Sequence, residues 1–150
     1  MALAKRPTTG EIEAKVTVIV VDVVGKLMKQ VADRARVNLS GKMLQRRSGV
    51  LYNSVADRVL NLGTIVRGEV YSHVPYGYMQ EVGTRPHVIL PRKSGGYLRF
   101  EVGGRVVFAK KVNHPGTKPT PWLHEAFDTL KPSFQPAINT ALHFGLDARH

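Results

Sequence analysis

Apolar residues recur every three or four positions along the first quarter of the chain, which is the period of an α-helix. The repeat covers Glu11 to about Val37. Its members are Ile12, Val16, Ile19, Val20, Val23, Leu27, Val31 and Ala35. Thr8 or Thr9 can cap such a helix, and Glu11 would lie in its positive first turn. The β-branched run from Val16 to Val24 would also suit a strand, but the length and the sustained period favour one long amphipathic helix.

Shorter elements follow a break at Ser40-Gly41. The segment Leu44–Val55 is typical of a short helix with a polar face. Two stretches of alternating apolar and polar residues, Val55–Leu60 and Thr64–Tyr71, then flank Asn61-Leu62-Gly63, whose glycine can adopt a positive φ. This pattern predicts a β-hairpin.

Prolines and glycines mark the ends of the predicted helices in the rest of the chain. One short helix runs from Pro75 through Glu81 and is closed by Gly83. Another runs from Pro121 through Leu130, and two further prolines introduce an apolar segment over Ala137–Leu146.

The intervening stretches Val88–Leu90, Tyr97–Val102 and Arg105–Val112 predict strands. Gly103-Gly104 joins the last two strands and is a strong signal for a tight hairpin. Together they predict a projecting, glycine-hinged β-element over about residues 86–116. The expected fold class is α+β, with a long N-terminal helix and C-terminal helices packed on a mostly antiparallel β-sheet.

Length and composition favour one folded domain over residues 1–150, since 43% of the residues are hydrophobic and 22% are charged. The chain has no cysteine, which excludes disulfides, cysteine-ligated metals and a cysteine nucleophile. Lys15, Asp22 and Lys26 interrupt the first apolar stretch. We therefore expect neither a signal peptide nor a membrane span there.

The formal net charge of +11 is concentrated in two windows. Residues 34–47 hold five bases and no acid, namely Arg34, Arg36, Lys42, Arg46 and Arg47. Residues 85–118 hold eight bases against Glu101 alone, namely Arg85, Arg92, Lys93, Arg99, Arg105, Lys110, Lys111 and Lys118. Such clusters indicate either a polyanionic partner or a solvated face.

No pattern in the sequence calls for catalysis, a metal or another cofactor. The six histidines lack a recognisable metal-ligand spacing, and the serines lack a GxSxG motif. Glu81 stands among aromatic residues without a second carboxylate, which argues for a structural or interfacial role. Tyr97 and Phe100 could stack on single-stranded nucleic acid, but a core role is the preferred interpretation. We therefore predict that the protein is not an enzyme.

Three segments follow one another along the chain, namely Ser48–Val55, Val70–Thr84 and His114–Phe127. Together and in this order they resemble the tail-component family of long-tailed bacteriophages, which includes tail-completion and head-to-tail joining proteins. The second matches the family's strand-to-helix pattern most closely. The chain departs from the family's patterns at Gly77 and Val82 in the second segment, where the family usually has alanine and an aromatic residue, and at Trp122 in the third, where it usually has phenylalanine.

The resemblance implies a structural virion protein, made in the cytoplasm of the bacterial host, that forms a ring in the phage neck. Such a ring, commonly of six copies, completes the tail and joins it to the head around the DNA channel. The implied partners are further copies of the chain, the head-completion (stopper) or connector protein, the tail terminator or tail tube protein, and genomic DNA in the lumen, with no membrane.

Two sets of residues are expected to serve this assembly. The subunit interface is expected at Tyr76, Tyr78, Glu81, Thr84 and Arg85. Contacts to the DNA channel or to a neighbouring ring are expected at Arg92, Lys93, Arg105, Lys110 and Lys111.

An alternative prediction is a free basic nucleic-acid-binding protein associated with the nucleoid or the ribosome. That protein would bind tightly and salt-sensitively as a monomer or dimer, whereas a ring subunit would bind DNA weakly until it is assembled. A hydrolase or nuclease would need a carboxylate cluster or nucleophile that the sequence does not offer.

Overall fold

The computed structural model describes residues 6–44 and 49–147 and confirms the α+β class. The helices are α1 (Thr9–Val37), α2 (Val50–Ser54), α3 (Pro75–Val82), α4 (Trp122–Leu130) and α5 (Phe134–Asp147), with a π-type turn at Asn38–Lys42 and a 3₁₀ turn at Lys131–Ser133. The strands are β1 (Val55–Asn61), β2 (Val66–Ser72), β3 (His87–Ile89), β4 (Leu98–Val102), β5 (Arg105–Ala109) and β6 (Val112–His114). All pairing is antiparallel, and it is divided among three two-stranded sheets, β1–β2, β3–β6 and β4–β5.

The predicted long helix is present and begins with a capping box. The Thr8 hydroxyl accepts from the Glu11 amide at 3.3 Å, and the Thr8 amide donates to the Glu11 carboxylate at 2.7 Å. These bonds satisfy amides that a helix N-terminus otherwise leaves unpaired. Burial is concentrated in the second half of the helix, from Val23 to Ala35. No helix in residues 6–44 and 49–147 is long and apolar enough to cross a membrane.

The core lies where α1 meets the β1–β2 hairpin and the two C-terminal helices. The hairpin lies close to α1 because Gly68 has no side chain: a Cβ there would lie 2.5 Å from Met28 Cγ and 2.8 Å from Val24 Cγ1. The predicted turn is present too, and Gly63 has a φ of 84°. Gly68 thus allows the β1–β2 sheet to pack closely against α1.

Two predicted elements differ in extent. The helix expected over Leu44–Val55 is helical at Val50–Ser54, and residues 45–48 lie outside the described residues. The strand expected over Arg105–Val112 is divided into β5 and β6, which pair with different partners, β4 and β3. The chain leaves one ladder and joins the other at Lys110-Lys111.

Candidate functional site

The β-element projects from the body through a narrow base. Thr84 and Thr117 exchange two backbone hydrogen bonds, at 3.0 and 3.1 Å, and their hydroxyls lie 3.1 Å apart. Gly116 has a φ of 87°, and a side chain there would overlap the Thr84 carbonyl. This close approach requires glycine. Both strands of the element therefore leave the body at one point.

A stacked pair of histidines lies directly beyond this base. His87 and His114 are opposite each other in the β3–β6 ladder, with ring centroids 5.0 Å apart. His114 Nδ1 accepts from the Gly116 amide at 3.0 Å. His87 Nδ1 lies 2.9 Å from the Arg85 carbonyl oxygen, which can only accept, so this nitrogen is the donor. In the part of the chain that the structure describes, no three histidine or acidic side chains are grouped to hold a metal.

The β4–β5 hairpin has an apolar face that the rest of the described chain leaves uncovered. The cross-strand register places on this face Leu98, Phe100, Val102, Val107 and Ala109, with Arg105 at the tip. Val102 is 57% exposed, and neither strand packs substantially against any other helix or strand. The core role preferred for Tyr97 and Phe100 is wrong, since both are exposed and Tyr97 is 59% exposed. Both belong to the projecting β-element that the sequence predicts over about residues 86–116.

The eight bases of residues 85–118 all lie on or beside this element, and none forms a salt bridge with a described residue. The predicted contact residues Arg92, Lys93, Arg105, Lys110 and Lys111 are all exposed. Lys110 lies over the Tyr97 ring, with its Nζ 5.9 Å from the centroid. The element is thus a concentrated, uncompensated positive surface.

The other basic window serves the fold. Arg34 and Lys42 bind the Glu125 carboxylate at 2.9 and 3.3 Å, while Arg36 binds Asp33 at 2.7 Å. The hydrogen bond from Arg34, followed by that from buried Asn38, lowers the pKa of Glu125 to about 2. Arg46 and Arg47 lie outside the described residues. Pairing with Glu125, which is distant in the chain, and with the neighbouring Asp33 therefore offsets part of the charge that the sequence concentrates there.

Helix α3 carries most of the predicted subunit interface. Tyr76 and Tyr78 are exposed, Tyr78 by 71%, and Met79 and Val82 extend the apolar surface. Glu81 differs from these exposed residues of α3, because its two carboxylate oxygens accept hydrogen bonds from the Leu123 and His124 amides at 2.9 and 2.8 Å. The sequence suggests either a structural or an interfacial role for Glu81, and these two hydrogen bonds show a structural one, because they cap α4.

The remaining two predicted interface residues follow α3. Thr84 is part of the bridge at the base of the element, and Arg85 is exposed beside it. The structure therefore places the predicted interface at the junction between the body and the β-element.

The three segments that carry the family resemblance meet in space. A Cβ on Gly77 would lie 2.7 Å from Leu51 Cδ1 and 3.7 Å from the Trp122 ring. Trp122 Nε1 donates to the Gly77 carbonyl oxygen at 3.2 Å, and the Ser54 and Ser72 hydroxyls lie 2.7 Å apart. This crowding gives a physical reason for glycine where the family usually has alanine.

A groove that the sequence did not predict lies between β2 and α4. Its volume is about 460 Å³. Met28 and Val31 of α1 form its floor, and Leu123 and Phe127 of α4 form one wall. The opposite wall consists of five consecutive β2 residues, Arg67–Tyr71. Because successive strand residues point to opposite faces, the edge of β2 faces this groove.

Within residues 6–44 and 49–147, the candidate functional surfaces are therefore the basic hairpin, the exposed side of α3 and the groove beside β2. Comparison with protein families, with characterised proteins and with solved structures finds no match to the chain.

Proposed function

We propose that this chain is a non-enzymatic structural subunit that assembles into a ring around DNA in the neck of a long-tailed bacteriophage. The ring would complete the tail and join it to the head connector. One observation carries the proposal: the β4–β5 hairpin projects from the body with an uncovered apolar face. A two-stranded hairpin is at best marginally stable in water unless another surface covers it. Assembly supplies that surface.

The charge distribution supports a DNA partner. The eight bases of the projecting element form no salt bridge with a described residue, whereas the described bases of the window at residues 34–47 are bound to acids. A ring multiplies this unpaired charge and places it around an axis. Contact with DNA would then be made to phosphates and would not depend on sequence.

The family resemblance supports the proposed location of the ring in the phage neck. Its three segments pack together around Gly77 and Trp122, so they form one structural unit. The exposed tyrosines of α3 and the base of the hairpin both border this unit, where neighbouring subunits would meet.

The test compares the wild-type protein with a triple charge reversal, Arg105→Glu, Lys110→Glu and Lys111→Glu. Its matched control reverses three exposed bases of the body, Arg6, Lys29 and Lys131. Light scattering gives the assembly mass, electron microscopy gives the ring symmetry, and filter binding to duplex DNA is measured across a salt series. The hairpin variant should lose at least about tenfold in DNA affinity and show a shallower salt slope. The control variant should keep a DNA affinity and a salt slope closer to those of the wild type.

Normal assembly and normal DNA binding by the hairpin variant would count against the proposal. The unpaired bases also favour a second candidate, a free nucleic-acid binder. A wild-type chain that stays monomeric at high concentration, yet binds DNA tightly at low salt, would establish that candidate instead.

A further inference from the structure

The groove beside β2 has an open strand edge. Among the described residues, strand β2 pairs only with β1, along one side, and the groove lies beside its other edge. An unpaired edge beside an apolar floor is the arrangement to which a strand from another chain adds. The groove therefore has room and hydrogen-bonding groups for an extended segment.

The β4–β5 hairpin matches this groove in length and chemistry. Each of its strands has five residues, or about 17 Å, and the seven residues of β2 span about 23 Å. If the hairpin continues the β1–β2 sheet, its apolar face turns to the same side as Gly68 and Val70, towards α1. Phe100 and Val107 would then lie against Leu123 and Phe127, of which Phe127 is 38% exposed.

We infer that the groove between β2 and α4 receives the β4–β5 hairpin of a second copy of this chain, added as strands to the free edge of β2. This inference rests on the proposed function, because it requires assembly, and it specifies which surfaces meet. The hairpin of the same copy is held away from the groove. The Thr84–Thr117 bridge and the β3–β6 ladder fix its base, and β4 and β5 do not pack substantially on any other described helix or strand.

Charge argues against the alternative in which two hairpins pair with each other. That contact would bring together two copies of Arg99, Arg105 and Lys110, with only Glu101 to offset each set. The groove is less basic. Glu69 lies at its rim beside Arg67, and His124 on the opposite wall binds Asp128 at 3.1 Å.

The geometry of the contact has a consequence for assembly. Hairpin and groove are different surfaces, so each copy gives one and receives one. Such a head-to-tail contact generates a closed ring or a filament, whereas like-with-like pairing stops at a dimer.

Cysteine cross-linking tests this contact, because the chain has no cysteine of its own. Single cysteines are placed on the outward side of β2, as Arg67→Cys or Tyr71→Cys, and on the outward side of the hairpin, as Glu101→Cys or Phe108→Cys. The β2 variants carry a mass tag, and each is mixed with each hairpin variant and oxidised. Neighbouring strands bring such side chains within disulfide range. Lys29→Cys on the body of the protein is the control.

At least one pairing of a β2 variant with a hairpin variant should yield tenfold more mixed dimer than Lys29→Cys with the same hairpin variant. Phe100→Asp on the apolar face should abolish this product, whereas Phe108→Asp on the opposite face should preserve it. Circular dichroism of both variants checks that the body still folds.

Light scattering on the same samples separates the two proposals. Particles that assemble without any β2-to-hairpin product, or with hairpin-to-hairpin dimers in excess, would overturn the docking site and leave the assembly proposal standing. A chain that remains monomeric would overturn both.

Discussion

Helix α4 is capped by Glu81, a residue of the separate helix α3, and the substitution Glu81→Ala removes this cap. The residue at the N-cap position of α4 is Pro121, whose side chain cannot accept a hydrogen bond. The Glu81 carboxylate substitutes for a local cap by accepting from Leu123 and His124. It also places a negative charge at the positive end of the helix.

The size of the effect follows from these two bonds. Loss of an N-cap costs about 0.5 to 2 kcal/mol, and a hydrogen bond to a charged group contributes about 1.5 to 3 kcal/mol. Because the hydrogen bond to the His124 amide is exposed, water can bind that amide in the variant and recover part of the lost free energy. We expect Glu81→Ala to lower the free energy of unfolding by about 2 kcal/mol. Glu81→Gln keeps one acceptor and should cost about half as much.

The assay is urea unfolding followed by circular dichroism, with thermal melting as a second measurement. In a chain of 150 residues, a loss of about 2 kcal/mol corresponds to a fall in Tm of about 4 to 8 °C. The matched control is Glu101→Ala, an exposed acid on the hairpin that has no salt bridge with a described residue. Equal stability of the Glu81 and Glu101 variants would refute the capping role.

Two further predictions concern the body of the protein. The carboxyl pKa of Glu125, held near 2 mainly by Arg34, lies below its unfolded value, so its stabilisation is present above about pH 4.5 and is lost as the pH falls towards 2. Because solvent screens this 29%-exposed side chain, the ionised carboxylate stabilises the folded protein by about 1 to 2 kcal/mol. Glu125→Gln should therefore reduce the fall in the free energy of unfolding at acidic pH. Gly68→Ala should cost about 1 to 3 kcal/mol by overpacking against Met28. Gly25→Ala, whose new methyl group meets its neighbour at 3.6 Å, should not be destabilising in the same urea titration.

The elements that sequence patterns predict well are those specified locally. The helical period of α1, the Asn61-Leu62-Gly63 turn and the helix from Pro75 to Gly83 depend on residues close together in the chain. Each is present with little change in extent. Gly103 and Gly104 both have positive φ, which confirms the tight hairpin that they predict.

The features that the sequence did not predict depend on contacts between distant residues. Glu125 neutralises Arg34 across 91 positions, so the charge of that window is not visible from the window itself. The division of the predicted Arg105–Val112 strand depends on which partner each half meets. Whether Phe100 is buried likewise depends on where the hairpin lies relative to the body, which its own alternation does not encode.

The Thr84–Thr117 bridge also has a mechanical consequence. The bridge lies where the β-element meets the body, with α3 on one side and the approach to α4 on the other. Tension applied to the β-element would be transmitted to the body through this short bridge before it reached the core. The bridge is therefore the point at which movement of the β-element is coupled to the body.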